Sequence, residues 1–341
     1  RDDVESRGLG DVYKRQNEER CKMGKRKVLV TATNYSAICK KGKRILEENG
    51  FEIVENTHRR PFTFEELKGL VGDISAVVAG VDTWDEAVFK LAPELKVISR
   101  FGVGVDNIDI LKAKEFGIKV TNCKGINSNA VSEHTMALML SSVRMIPRLS
   151  QTMKEGTWER AVYHEFNQLT VGLLGFGDIA RKVAAKLQPF GAKLIAYDVF
   201  PNEESAKDLN VTMVSLEDVL KKSDIISIHV PALPSTHHMI NKDTIELMKD
   251  SVYLINTARG SIVDESALYE ALKTRRIAGA ALDVYEHEPV DMNHPLFELD
   301  NFIGTPHTSA ETYENYENCG IETAQAIVDV LIKEKTPENL L

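Results

Sequence analysis

The chain has 341 residues, 43% of them hydrophobic and 27% charged, a composition that suits a globular protein of two domains and excludes fibrous or disordered classes. Its formal net charge of -9 is spread along the length with no basic stripe, which argues against nucleic acid and anionic membrane surfaces as partners and leaves small molecules and further copies of itself. No stretch approaches the roughly 20 apolar residues of a membrane span, and Cys21, Cys39, Cys123 and Cys319 lack CxxC spacing, so no disulfide framework or metal site is expected and the thiols read as reduced, in the cytoplasm.

The first residues, to Arg20, carry charge without an apolar signal-peptide region and precede Met23, so residues 1–23 read as a non-native or disordered leader. From Lys27 short apolar runs alternate with amphipathic ones: KVLVTA, a helical stretch to Asn49, FEIVEN, AVVAG, VISR and KVTN. This alternation predicts parallel strands with crossover helices. Residues 129–153, apolar on almost every face around Thr135 to Val143, predict one long helix buried between domains or subunits. A second series follows in TVGLLG, KLIAYD, IISIHV, VYLINT and GAALDV. A last helix, roughly Glu311 to Lys333, spaces Ile321, Ala324, Val328 and Leu331 at three and four, a stripe suited to returning the chain to the first domain.

The segment Gly175-Phe176-Gly177-Asp178-Ile179-Ala180 directly follows the strand Thr170 to Leu174 and opens a helix. In such a GxGxx(G/A) turn the first glycine allows the tight bend, the second lets a pyrophosphate reach the backbone, and the small last residue lets helix and sheet pack closely. Asp198 ends the next strand about twenty residues on, where a carboxylate accepts ribose hydroxyls and repels a 2′-phosphate, so NAD is expected over NADP. Glycine turns and strand-end acids also occur for structural reasons alone, and context is what favours the cofactor here.

Three further segments fall at expected strand ends: Asn256 to Gly260, Asp283 to Pro289, and Thr305 to Ala310. Oxidising a hydroxy acid needs a cation for the carboxylate, a base for the hydroxyl proton and a group that tunes the base. Arg259 offers a bidentate guanidinium, His307 a ring that titrates near neutrality, and Glu288 a carboxylate to hold that ring. Taken singly each has an ordinary explanation, as a loop ion pair, a helix-entry residue and a surface acid before a proline. His237 and His238 are neighbours, and on an extended chain their rings face opposite ways.

The segments NTARGSIVDE, ALDVYEHEP and TPHTSAET, in this order behind the glycine fingerprint, resemble the D-isomer-specific 2-hydroxyacid dehydrogenases, and the likeness runs from Lys27 to the last helix. It is strongest toward short D-3-phosphoglycerate dehydrogenases. The resemblance implies two Rossmann-like doubly wound α/β domains with a cleft between them. One is a discontinuous, flavodoxin-like substrate domain (24–125 and 308–341), the other an NAD-binding Rossmann domain (126–307). It also implies Arg259, Glu288 and His307 as the catalytic set, Glu288 being preferred to Glu286 because it directly precedes the proline. Cofactor contacts are implied at Val103, Gly175, Gly177, Asp178, Ile179, Asp198, Val230, Thr257, Ala258, Asp283, Thr308, Ser309 and Ala310, with Asp283 either on the nicotinamide carboxamide or capping a turn.

By the same resemblance, Gly102, Val103 and Gly104 bind the substrate carboxylate, and Arg100 and Arg160 match positions that meet a substrate phosphate. Ala79 departs from the pattern where a further phosphate arginine is common, and Asp178 departs where an arginine faces the pyrophosphate. The implied reaction is oxidation of 3-phospho-D-glycerate to 3-phosphohydroxypyruvate, with another D-2-hydroxy acid, glyoxylate or hydroxypyruvate as the alternative. The expected assembly is a homodimer. A different class, an NAD(H)-sensing corepressor-like binding protein, shares the fold, but an intact Arg259, Glu288 and His307 favours an enzyme. Formate oxidation is disfavoured by Glu288.

Overall fold

A computed structural model describes residues 26–58 and 60–341, so the expected leader at 1–23, with Cys21, lies outside the described residues. The described chain divides into two compact units, one ending at Asn127 and resuming at Thr312–Leu341, the other Ser128–Glu311. The sequence boundaries of 125 and 307 thus move by a few residues. The Thr308–Glu311 stretch stays with the second unit because its main chain is hydrogen-bonded there, as described below.

The first unit is built on β1 (Lys27–Val30), β2 (Glu52–Glu55), β3 (Ile74–Ala79), β4 (Val97–Arg100) and β5 (Lys119–Thr121), paired in parallel in the order β2-β1-β3-β4-β5. This is the flavodoxin-like doubly wound order. β1, β3 and β4 are almost wholly buried, as expected of Val/Ile runs covered by helices on both faces. The C-terminal helix (Tyr313–Leu331) packs on α1 (Lys40–Glu48) and β4, burying Ala324, Ile327 and Val328, so its apolar stripe does return to this unit. Cys39, Cys123 and Cys319 are buried free thiols around it.

The second unit holds β6 (Thr170–Leu174), β7 (Lys193–Tyr197), β8 (Val211–Met213), β9 (Ile225–Ile228), β10 (Tyr253–Asn256), β11 (Gly279–Leu282) and β12 (Phe302–Gly304). All pair in parallel in the order β12-β11-β10-β9-β6-β7-β8, the Rossmann arrangement with one added edge strand. The strand order reverses between β6 and β9, which places a ligand crevice at their carboxyl ends. The three-residue edge strand β8, Val-Thr-Met, gives no apolar run in the sequence.

Two expectations change. Residues 129–153 form two helices, α2 (Ser128–Val143) and a second at Ile146–Lys154. The break falls at Met145, whose φ is 50°, just before Pro147, which lacks the N–H a continuous helix needs. The apolar surface of α2 packs on α3 (Asp178–Leu187), β10 and β11 within its own unit. His237 and His238 are also not extended: His238 has φ 48°, and the two rings stack at 4.0 Å.

Candidate active site

Arg259, Glu288 and His307 lie on three loops that follow β10, β11 and β12. His307 Nδ1 meets Glu288 Oε2 at 2.6 Å, and Glu288 Oε1 accepts the Tyr285 N–H at 3.0 Å. His307 Nε2 has no protein partner among the described residues, and the imidazole is 45% exposed, so the ring offers one nitrogen outward while the other is held. Burial raises the pKa of Glu288, but the His307 hydrogen bond and charge, the Tyr285 N–H and the Arg259 charge outweigh it and hold the carboxyl below its ordinary range. Its ionised form is therefore favoured against His307. Arg259 is half-buried, with Nη1 on its neighbour Ala258 O at 2.7 Å, and its turn is tied by the fully buried Asn256 through Ala258 N–H and Arg259 O.

The His307 loop is held by Asp283, which directly follows β11 and is 0% exposed. Its Oδ1 accepts the Thr305 hydroxyl (2.6 Å) and the Thr308 N–H (2.9 Å), and its Oδ2 accepts the Ser309 N–H (2.9 Å). Its main-chain carbonyl accepts the His307 N–H at 2.7 Å, and His307 itself takes φ 49°, a left-handed conformation that needs such support. Of the two roles expected for Asp283, the turn cap is the one the geometry displays. His134 Nε2, from α2, adds a contact to Thr305 Oγ1 at 3.1 Å and lies 3.6 Å from Asp283. Thr257 Oγ1 bonds Thr135 Oγ1 at 2.9 Å, locking the Arg259 turn to the same helix.

At the crevice between β6 and β9, Gly175 has φ 92°, and a Cβ there would lie 2.8 Å from the His229 main chain, so the turn requires glycine. Gly177 differs: a Cβ would meet nothing within 4 Å, and as N-cap of α3 it brings no side chain to the first-turn N–H groups. Open space before uncapped helix N–H groups is what a pyrophosphate needs. Ala180 is fully buried against the sheet, Ile179 is half-buried, and Val230 lies half-buried just beyond the end of β9. Asp198 accepts the Phe176 N–H (2.7 Å) and the Phe200 N–H (2.8 Å), one on each oxygen, leaving each a lone pair for a ribose hydroxyl. Asp178 is ion-paired with Arg181, which offsets the acidic charge at this helix start.

A profile of the "D-isomer specific 2-hydroxyacid dehydrogenase, NAD binding domain" matches residues 136–309, half of the chain and nearly all of the second unit. The chain belongs to the D-isomer-specific 2-hydroxyacid dehydrogenase family. Among its relatives are a D-3-phosphoglycerate dehydrogenase of Archaeoglobus fulgidus, 41% identical over 84% of this chain and 54% of that protein, and a hydroxypyruvate reductase of Thermotoga maritima, 42% identical over 83% and 94%. The chain therefore spans about half the length of the first and nearly all of the second. A solved D-lactate dehydrogenase of Aquifex aeolicus, complexed with NAD and lactic acid, superposes with a TM-score of 0.80 at 31% identity, covering 92% of this chain and 98% of that one. NAD is the cofactor of the matched domain, and the Gly177 cradle and Asp198 fit it.

In this family member's first unit, the loop after β4 has a consistent polarity. Arg100 donates Nε to Gly104 O at 2.9 Å and Nη1 to Phe101 O and Ala79 O, Asn122 Nδ2 donates to Val103 O (2.8 Å), and Cys123 N–H donates to Gly102 O (2.8 Å). The carbonyls are gathered inward, and the N–H groups of Val103 and Gly104 have no acceptor among the described residues. Arg100, expected on a substrate phosphate, thus has its guanidinium on the loop's own main chain. Arg160 is exposed in an irregular segment of the second unit. Sequence reasoning missed His134 and Thr135, whose partners Thr305 and Thr257 lie more than a hundred positions away with no local pattern to mark them, and it missed the role of Thr305 on Asp283.

Proposed function

We propose that this protein uses NAD to interconvert a D-2-hydroxy acid and its 2-oxo acid, and that 3-phospho-D-glycerate, oxidised to 3-phosphohydroxypyruvate, is its substrate. The observation that carries the reaction class is the 2.6 Å Glu288–His307 pair, with Nε2 of the part-exposed ring unpartnered among the described residues and the charge of Arg259, from a third loop, acting on Glu288. His307 Nε2 takes the hydroxyl proton as the C2–H bond gives up its hydride, and returns it in reduction. Glu288 holds the ring by Nδ1 and stabilises the imidazolium. Arg259 binds the substrate carboxylate and polarises the carbonyl. Bound NAD supplies the hydride acceptor. In the first unit, the Val103 and Gly104 N–H groups, which have no acceptor among the described residues, are donors suited to a carboxylate.

The phosphorylated substrate is supported by the Archaeoglobus fulgidus relative and by the exposed Arg160. A second reading, an unphosphorylated acid such as hydroxypyruvate or glyoxylate, is favoured by the main-chain hydrogen bonds of Arg100, by the small, buried Ala79, and by the relative matched over nearly its full length. Steady-state kinetics with 3-phosphoglycerate, glycerate, hydroxypyruvate and glyoxylate, with His307→Ala as blank, separates them. Preference for 3-phosphoglycerate upholds the first reading, preference for an unphosphorylated acid the second, and no turnover with any of them sinks both.

We also propose a homodimer in the reducing cytoplasm. Ile146, Met153, Trp158 and Val162 expose apolar surface on one segment of the second unit, Val162 at 98%, and the described cysteines are free. Light scattering that finds only monomer at micromolar concentration would remove the dimer.

A further inference from the structure

Glu286 stands two residues before Glu288 and takes no part in the pair with His307. Its Oε1 accepts the Glu265 N–H (3.2 Å), at the first turn of α4 (Glu265–Lys273), and faces His238 Nε2 at 3.0 Å. In return Glu265 Oε1 accepts the Glu286 N–H at 2.8 Å, and Glu265 Oε2 lies 3.2 Å from His294 Nε2. The left-handed His238, stacked on His237, is what brings its ring onto this loop. One residue of the loop is therefore bonded through main chain and side chain to the start of a helix, where negative charge is favoured.

The opposite side of the loop is closed sterically. A Cβ on Gly260 would lie 1.9 Å from the Tyr285 carbonyl carbon and 2.4 Å from the Glu286 nitrogen, so the main chain of 285–286 occupies the space that glycine leaves beside Arg259. The loop that delivers Glu288 is gripped between the Arg259 turn and α4. A carboxylate must stay within a few tenths of an ångström of its imidazole to fix the ring, and a loop free at Glu286 would not hold it so.

We propose that Glu286, through Glu265 and His238, is a positioning residue that sets Glu288 against His307; this rests on the acid–base reading of His307 given above. The other charged groups that face the loop are Arg259 from its turn, Asp283 beneath it, and His287 and His294 from its own continuation.

The test compares Glu286→Ala and Glu286→Gln with the wild-type protein by the pH profiles of kcat and kcat/KM in the oxidative direction and by NADH fluorescence titration. Glu286→Ala is expected to lower kcat ten- to a hundredfold, about what a displacement of 1 Å costs. It should leave NADH affinity within about twofold and move the acidic limb of kcat/KM to lower pH, because the imidazolium loses a steady carboxylate. Glutamine keeps an acceptor oxygen for both donors and should restore the wild-type limb. An alanine variant with wild-type kcat and limb overturns the proposal. So does a glutamine variant whose limb moves as far as alanine's, since the charge of Glu286 would then act through space. Should Glu286→Ala fail to fold, His238→Ala, which removes one of the two donors, must show a smaller shift in the same direction, and an unmoved limb there overturns the proposal too. A wild-type profile with no acidic limb removable by His307→Ala would instead overturn the underlying reading, and the proposal with it.

Discussion

The loop after β4 in the first unit and the loop after β12 in the second are organised by opposite charges. In the first, the Arg100 cation gathers the carbonyls of Phe101 and Gly104, and the Val103 and Gly104 N–H groups are left without an acceptor among the described residues. In the second, the Asp283 anion gathers the Thr308 and Ser309 N–H groups, and the His307 side chain is what the loop offers. A single side chain thus fixes which polarity each loop presents, because a main chain whose carbonyls are all bonded on one side has only its donors left for a ligand, and the reverse. One loop suits a carboxylate, the other a proton-transferring side chain.

The largest effect is expected where the organising group is buried. Asp283→Asn puts an amide NH2 against the donors Thr305 Oγ1–H, Thr308 N–H and Ser309 N–H, only one oxygen remaining to accept them. A buried group left unsatisfied costs about 2 kcal/mol. Denaturant unfolding should register that loss, kcat should fall with it, and amide exchange in the Arg100 loop should stay unchanged. Unchanged unfolding would mean that the loop holds its shape without the anion.

Arg100→Met keeps the apolar stem and removes the donors. The loop carbonyls are then free to turn outward, and KM should rise by about tenfold for phosphorylated and unphosphorylated acids alike, with kcat little altered. A rise confined to phosphorylated substrates would reassign Arg100 to the phosphate and break the parallel between the two loops.

The smallest effect separates the loops by pH. The Glu288 carboxyl lies below its ordinary value of 4.5 in the folded protein, so its stabilising contribution is complete above that value and is lost as pH falls through the lower, folded-state one. The guanidinium of Arg100 does not titrate in this range. Exchange of the Tyr285 amide, which Glu288 Oε1 accepts, should therefore accelerate on acidification below about pH 4.5, the ordinary carboxyl value, while exchange in the Arg100 loop shows no such step. A step common to both loops would point to global unfolding instead.

Much of the fold was legible because it is written locally. The runs of β1, β3, β6, β9 and β11 are near-continuous apolar segments, the pattern of strands covered on both faces, and Gly175 to Ala180 carries its turn, cradle and packing residue within six positions. The edge strand β8 was not, since Val-Thr-Met is too short and too mixed to stand out as an apolar run. The helix reading of 129–153 failed at Met145 because it passed over Pro147, two residues on, the one local signal that the helix breaks there.

The sequence by itself determined the kinds of groups available: an arginine, a histidine and a glutamate behind a glycine fingerprint, in the order that identifies the family. Which way each points was decided by tertiary structure. Asp283 faces inward because the Thr305–Ser309 main chain closes over it, Arg100 turns onto carbonyls because its own loop folds around it, and Glu286 reaches a helix start because Gly260 leaves room for its backbone. Polar side chains take the partners that folding brings within 3 Å or so, and those partners come from loops that the chain order keeps far apart.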